Sequence, residues 1–410
     1  MKKLSLLFVL ATLLFACNTP STEDPTANTE TDKDYQTVLQ EALINAEDGD
    51  VIEIPEGVYE FTSSILVDGV SNLTIKGAGM DKTILSFKNQ TVGAEGLKVT
   101  ADNIVMEDFA IYDAKGDAIK TQYCDGVTFR RLKIAWSGEP KPENGAYGLY
   151  PVESTNVLVE YCDVSGASDA GIYVGQSIGV IVRENYAHEN VAGIEIENCI
   201  NSDVYNNLAE NNTGGLLVFD LPELPQTNGH TCRLYNNTLK DNNYKNFAPA
   251  GNMVAIVPPG SGITLLAAKN CEIFDNEITG HKTFGIGIAS YFLTQNEYND
   301  TIYDPYCSKI NVYDNVIERK AAIPDLTTDF GKMVNYVFNG KPQDIIYDGI
   351  YNPANEDDAS LPNVYSVCIG DNGEDVRWAN VDAAHEFENV DTDIIKYTCT
   401  FEALPEVVLE

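Results

Sequence analysis

One interval governs the chain. Glycines followed by an apolar residue stand at Gly148, Gly171, Gly193 and Gly215, spaced by 23, 22 and 22 residues. Gly96, Gly262 and Gly285 extend the series, with Ala118-Ile119 as its variant. A second series runs beside it, through Asn103–Ile111, Gly126–Ile134, Asn156–Val164, Gly179–Ala187, Asn201–Ala209, Thr231–Leu239, Asn270–Ile278 and Lys309–Ile317. Its second, fourth and ninth positions are mostly apolar, and its seventh becomes Asn185, Asn207, Asn237, Asn276 and Asn315. A period near 22 with alternating polarity is too short for a helical hairpin. It fits one turn of a parallel β-solenoid, three short strands joined by tight turns. A leucine-rich repeat would need a leucine ladder, which is absent. Asparagine suits such a stack because it tolerates left-handed turns and its amide can bond to the amide one turn away.

Composition narrows the partners. With 26 Lys+Arg against 62 Asp+Glu among 410 residues, the net charge is −36. Phosphate-directed nucleic-acid binding needs clustered cations and is excluded. Lys2 and Lys3 precede the apolar run Leu4–Ala16, which is too short to span a bilayer and reads as an export signal over residues 1–16. Its end, Leu14-Phe15-Ala16-Cys17, resembles the lipobox of bacterial lipoproteins. That resemblance implies a lipidated Cys17, a membrane link through this anchor alone, and an outer-membrane place facing either side. Residues 17–34, rich in Thr, Pro, Asn and acids, read as a flexible tether.

The solenoid is expected over 35–320, in about ten turns. Tyr35–Ala46 has helical apolar spacing and is predicted to cap its exposed first edge. Residues 321–410 lose the repeat and are predicted to form an irregular C-terminal cap. Cys232 and Cys271 share an inward column one strand spacing apart, about 4.8 Å, and Cys368 and Cys399 lie in the cap, so both pairs are candidate disulfides; simple stacking of buried thiols is the alternative for the first pair. With no CxxC pair and four histidines, a zinc site is not expected.

Chemistry is sought in columns. Positions one and three after each Gly are apolar and point inward, so position two should face solvent. It reads Lys98, Lys120, Tyr150, Tyr173, Glu195, Leu217. Lys120, Tyr150, Tyr173 and Glu195 are candidate catalytic residues for proton abstraction from a uronic-acid unit, with an ammonium to stabilise the developing charge. Glu197 and Asp220 are candidate Ca²⁺ ligands. Lys98, Gln176, Asn198 and Trp136 are candidate substrate contacts, and Tyr244, Phe247, Tyr291 and Tyr303 on the insertions candidate stacking surfaces. By contrast, the column Glu107, Arg130, Glu160, Arg183, Tyr205, Tyr235, Phe274, Tyr313 reads as cross-strand pairing, and His188 as a hydrogen-bonded surface residue.

The stretches Asn144–Val152, Ala167–Ser177, Ala192–Asn198 and Gly214–Pro222 resemble right-handed parallel β-helix proteins of the pectate-lyase-like superfamily, and more closely a group of bacterial β-helix lipoproteins of unestablished activity. The resemblance covers roughly residues 40–400 and implies an all-β, right-handed coil. It brings no catalytic residue with it. The expected function is an exported, lipid-anchored protein that binds or processes polysaccharide, with acidic glycan the favoured class and lyase, epimerase or hydrolase chemistry open. The alternatives are a non-catalytic carbohydrate-binding or scaffolding lipoprotein, and an accessory protein of a periplasmic redox or metal partner.

Overall fold

The structure is a computed structural model that describes residues 34–319 and 323–410. The signal segment, Cys17 and nearly all of the tether lie outside the described residues.

The chain winds as a parallel solenoid with two hydrogen-bonded sheets, one of 19 strands and one of 11. A representative turn contains Thr155–Glu160, Asp163–Ser165 and Ala170–Gly175; the next repeats it as Ile178–Arg183, Tyr186–His188 and Ala192–Glu197. Register follows the sequence period: Val157 pairs with Val180, Val164 with Ala187 and Ile172 with Ile194. The backbone turns sharply at residues with left-handed φ, between strands at Tyr161 (56°) and Gln176 (50°) and just inside a strand at Asn156 (54°). Asn and Asp recur at these corners because their short polar side chains lower the cost of that conformation.

The inward columns form one apolar core running from Leu39 to Tyr397. Buried asparagines line it as hydrogen-bonded ladders. Asn185 Nδ2 donates to Asn207 Oδ1, Asn207 to Asn237, Asn237 to Asn276, Asn276 to Asn315 and Asn315 to Asn372, at 2.8–3.0 Å. A second ladder, unread in the sequence, joins Asn190, Asn212 and Asn242 and ends at His281. On the outside, Arg130 and Arg183 both clasp Glu160, at 2.6 and 2.7 Å. Tyr205, Tyr235, Phe274 and Tyr313 stack at 4.8, 5.0 and 5.3 Å between ring centres. This column is structural, as its alternation implied.

The helix Tyr35–Ile44 covers the first edge and buries Leu39 and Leu43. Its glutamines replace the missing strand: Gln36 Oε1 accepts from the Thr62 N–H, while Gln40 accepts from Leu66 N–H and donates to its carbonyl. At the other end the stack does not stop at 320. Ile345–Tyr347 and Trp378–Asn380 join the 11-stranded sheet and Val367–Ile369 the 19-stranded one. These strands are three residues long and separated by insertions, so no period survives to reveal them. The final segment turns back along the coil, its Leu404 and Val407 amides donating to Glu272 and Asp203.

Cys368 and Cys399 are joined in a disulfide. Cys232 and Cys271 are register partners, yet both remain buried thiols. In one inward column their Cβ bonds point the same way, which stacks the sulfurs instead of aiming them at each other.

Candidate active site

The expected outward column exists in register. Lys98 pairs with Lys120, Lys120 with Tyr150, Tyr173 with Glu195, and Glu195 with Leu217. Its exposure differs from expectation. Lys98, Lys120 and Tyr150 are half-buried, but Tyr173 is 3% exposed, Glu195 1% and Leu217 0%. The cause is the insertions after Asp220, around Asn243–Gly260 and after Ser290. Phe247, Val254, Val257, Tyr291 and Tyr303 pack with Leu217, Phe219 and Tyr173 into a second apolar cluster outside the coil. The expected stacking surfaces Phe247, Tyr291 and Tyr303 are therefore wall, not platform.

Where this cover meets the open column lies a cavity of about 270 Å³, lined by Tyr147, Asp169, Glu195, Glu197, Asn252 and neighbours. Glu195 and Glu197 are alternate residues of one strand, so both project from its outer face. Asp169 immediately precedes the strand below. The three carboxyls differ in their partners. Glu197 Oε1 accepts from the Tyr173 hydroxyl at 2.5 Å, and Asp169 Oδ2 accepts from Asn252 Nδ2 at 3.1 Å and, at a long 3.5 Å, from the Tyr147 hydroxyl. Glu195 Oε2 is buried and no donor reaches it.

Burial opposes ionisation of all three. It pushes Asp169 up to about 7, against the Asn252 and Tyr147 hydrogen bonds. It pushes Glu197 up to about 7, against the Tyr173 hydrogen bond and with help from the charges of Asp169 and Asp220. Glu195 is raised well above the carboxylate range by burial and then by Asp169 and Glu197. Tyr147, Tyr150 and Tyr173 form a ring cluster with centres 4.5–5.0 Å apart, and Lys120 Nζ sits 4.7 Å from the Tyr150 ring. Burial and nearby carboxylates raise the Tyr150 phenol, a direction that disfavours phenolate. Asp117 is pushed to about 6 by burial and pulled back by Lys120.

Other expected site residues have different work. Asp220 is buried against Lys269 at 2.6 Å and accepts the Gly229 N–H, so its carboxylate is already neutralised. Glu197 accepts from Tyr173, and no group of three His, Cys, Asp or Glu suited to a metal occurs among the described residues. Asn198 spends its amide on Leu221 and Gln226, pinning the insertion. Trp136 is 8% exposed and donates Nε1–H to the Ala114 carbonyl. Gln176 is a half-buried corner residue whose N–H bonds to the Glu197 carbonyl. His188 stacks on Tyr186 and bonds to Asp163, as a surface histidine does. Sequence reasoning missed Tyr147, Asp169 and Asn252. The first two stand one and two places before a repeat glycine, positions that the column reading skipped; Asn252 left no periodic signal.

Residues 63–222 match the family model described as "Right handed beta helix region". No curated protein matches the chain. Among solved structures, the A-module of a mannuronan C-5 epimerase from Azotobacter vinelandii is 13% identical, with 83% of this chain and 90% of that one covered and a TM-score of 0.49. A polygalacturonase from Erwinia carotovora ssp. carotovora is 12% identical over 71% and 91%, TM-score 0.47. An alginate lyase from Paenibacillus sp. is 14% identical over 70% and 95%, TM-score 0.44. With this match over residues 63–222 and two parallel sheets stacked turn upon turn, the described residues fold as a right-handed parallel β-helix.

Proposed function

We propose that the protein processes an acidic polysaccharide by acid–base chemistry in the cavity under the 252–254 segment. The observation that carries this reading is the asymmetry of the three carboxyls. Environments that push neighbouring carboxyl pKa values apart assign acid and base. Glu195, buried and without a donor on Oε2, holds its proton and acts as general acid. Glu197 and Asp169, each receiving hydrogen bonds, ionise first, and one of them is the base. In hydrolysis the acid gives its proton to the leaving glycosidic oxygen. The base takes one from water, whose hydroxide bonds to the anomeric carbon. Lys98 and Lys120 supply the positive patch that an anionic glycan needs on a protein this acidic. This reading replaces Tyr150 as the proton carrier, since its phenol is held neutral. Export and lipidation at Cys17, placing the protein in the cell envelope, belong to the same proposal and rest on the lipobox-like Leu14–Cys17.

A panel of neutral and acidic polysaccharides, with and without Ca²⁺, tests it. New reducing ends are expected from an acidic glycan, with loss of about 10²–10⁴-fold in Glu195→Gln and Glu197→Gln and a raised KM in Lys120→Ala. Products absorbing in the near ultraviolet would move the chemistry to a lyase. Binding without turnover, unchanged in these variants, would make the protein a carbohydrate-binding or scaffolding module.

A further inference from the structure

We infer that the site takes the end of a glycan chain, with an acidic unit next to that end, and not the middle of a polymer; this rests on the glycan-processing reading above. The outward column is open over Lys98, Lys120 and Tyr150 and closed from Tyr173 onward. Leu217 and Phe219, the register partners of Glu195 and Glu197 on the next turn, are fully covered. Their cover belongs to the apolar cluster that includes Phe247, Val254 and Val257.

That wall is fastened to the coil. Asn252 bonds to Asp169, Asn198 holds the Leu221 and Gln226 carbonyls, and the Tyr303 hydroxyl donates to the Asp220 carbonyl at 2.6 Å. A chain laid along the column from the Lys98 side therefore meets an apolar barrier directly beyond the carboxyls. The cavity at that boundary, about 270 Å³, falls just below the range of small-molecule sites, roughly 300 to 1,000 Å³. It has room for about one sugar unit. On the open side of the cavity Lys120 Nζ sits 4.7 Å from the Tyr150 ring, and Lys98 stands one strand spacing of about 5 Å further on, where the carboxylates of the following units would lie.

The test offers oligogalacturonates and oligomannuronates of two to six units to the full-length protein. Each is supplied free, capped at the reducing end, or capped at the non-reducing end. Products are resolved by chromatography and binding is followed calorimetrically. One of the two caps is expected to lower kcat/KM about 100-fold or more, because the wall at one end of the cavity excludes it sterically, and short products should leave singly from the first time point. Early internal products of many lengths overturn the chain-end inference and leave glycan processing standing. Binding without turnover that one cap abolishes keeps the inference and removes catalysis. Binding indifferent to both caps overturns the inference, and neither binding nor turnover with any chain overturns both.

Discussion

Glu195 is costly to the fold. A buried carboxyl with an unpartnered oxygen contributes an unmet desolvation penalty of about 1–3 kcal/mol. Its pKa is raised in the folded state, so the native protein binds a proton that the unfolded chain releases as pH climbs above about 4. Stability tied to this group is whole below that point and is lost as pH rises towards the folded pKa. Glu195→Gln is therefore expected to match the wild type in stability at pH 4 and to exceed it by about 1–3 kcal/mol at pH 8, while losing activity. Denaturant unfolding at both pH values checks this, and a variant less stable than wild type at pH 8 would show that Glu195 is a structural residue. The placing of Glu195 beside Tyr173 was legible in the sequence because both sit two residues after a repeat glycine. Its burial was not, since Asn252, Met253 and Val254, which line the cavity with it, belong to an aperiodic insertion.

Strands of this length are stable only as members of a stack, and the asparagine ladders show what the stack demands. Asn237 donates to Asn276 and to the Val204 carbonyl, and accepts from the Asn207 backbone and amide. Replacing it with alanine leaves buried groups on two neighbouring turns unpaired, at about 1–3 kcal/mol for each. Asn237→Ala is expected to lower the unfolding free energy by at least that amount. Asn89→Ala, whose side chain makes an exposed bond to Glu60, should change it by less than about 0.5 kcal/mol. Equal effects in a urea titration would count against the ladder as a stabilising element. This column could be read from Asn185 to Asn315 because each Asn sits at the same place in a recurring nine-residue pattern, even where insertions widen the interval from 22 to 30 and 39 residues. The cap strands Ile345–Tyr347 and Trp378–Asn380 could not, because insertions erase the spacing while the backbone still finds the edge of the sheet. The same pattern places Cys232 and Cys271 as neighbours, and of the two readings it left open, a bridge or stacked thiols, the structure shows the second: register fixes which residues are neighbours, and side-chain direction decides whether they can bond.

For the molecule as a whole, the coil provides a straight file of outward residues, and the insertions decide which part of it meets solvent. The open part is marked by two lysines, an exception in a chain with 62 acidic residues and 26 basic ones. The covered part is marked by carboxyls forced out of water. An unperturbed acidic side chain has finished ionising well before neutrality, so groups that titrate near pH 7 stand apart from the rest. Asp169 and Glu197 are held there by burial, and their protons are the ones the proposed chemistry would use. The most direct measurement is a ¹³C NMR titration of the side-chain carboxyls in the wild type, Asp169→Asn and Glu197→Gln. The expected result is a set of resonances with midpoints near pH 7, each variant deleting one and displacing the others. If every carboxyl titrates below about pH 5, or if the neutral midpoints survive both substitutions, the cavity holds no shared proton and the acid–base site is refuted.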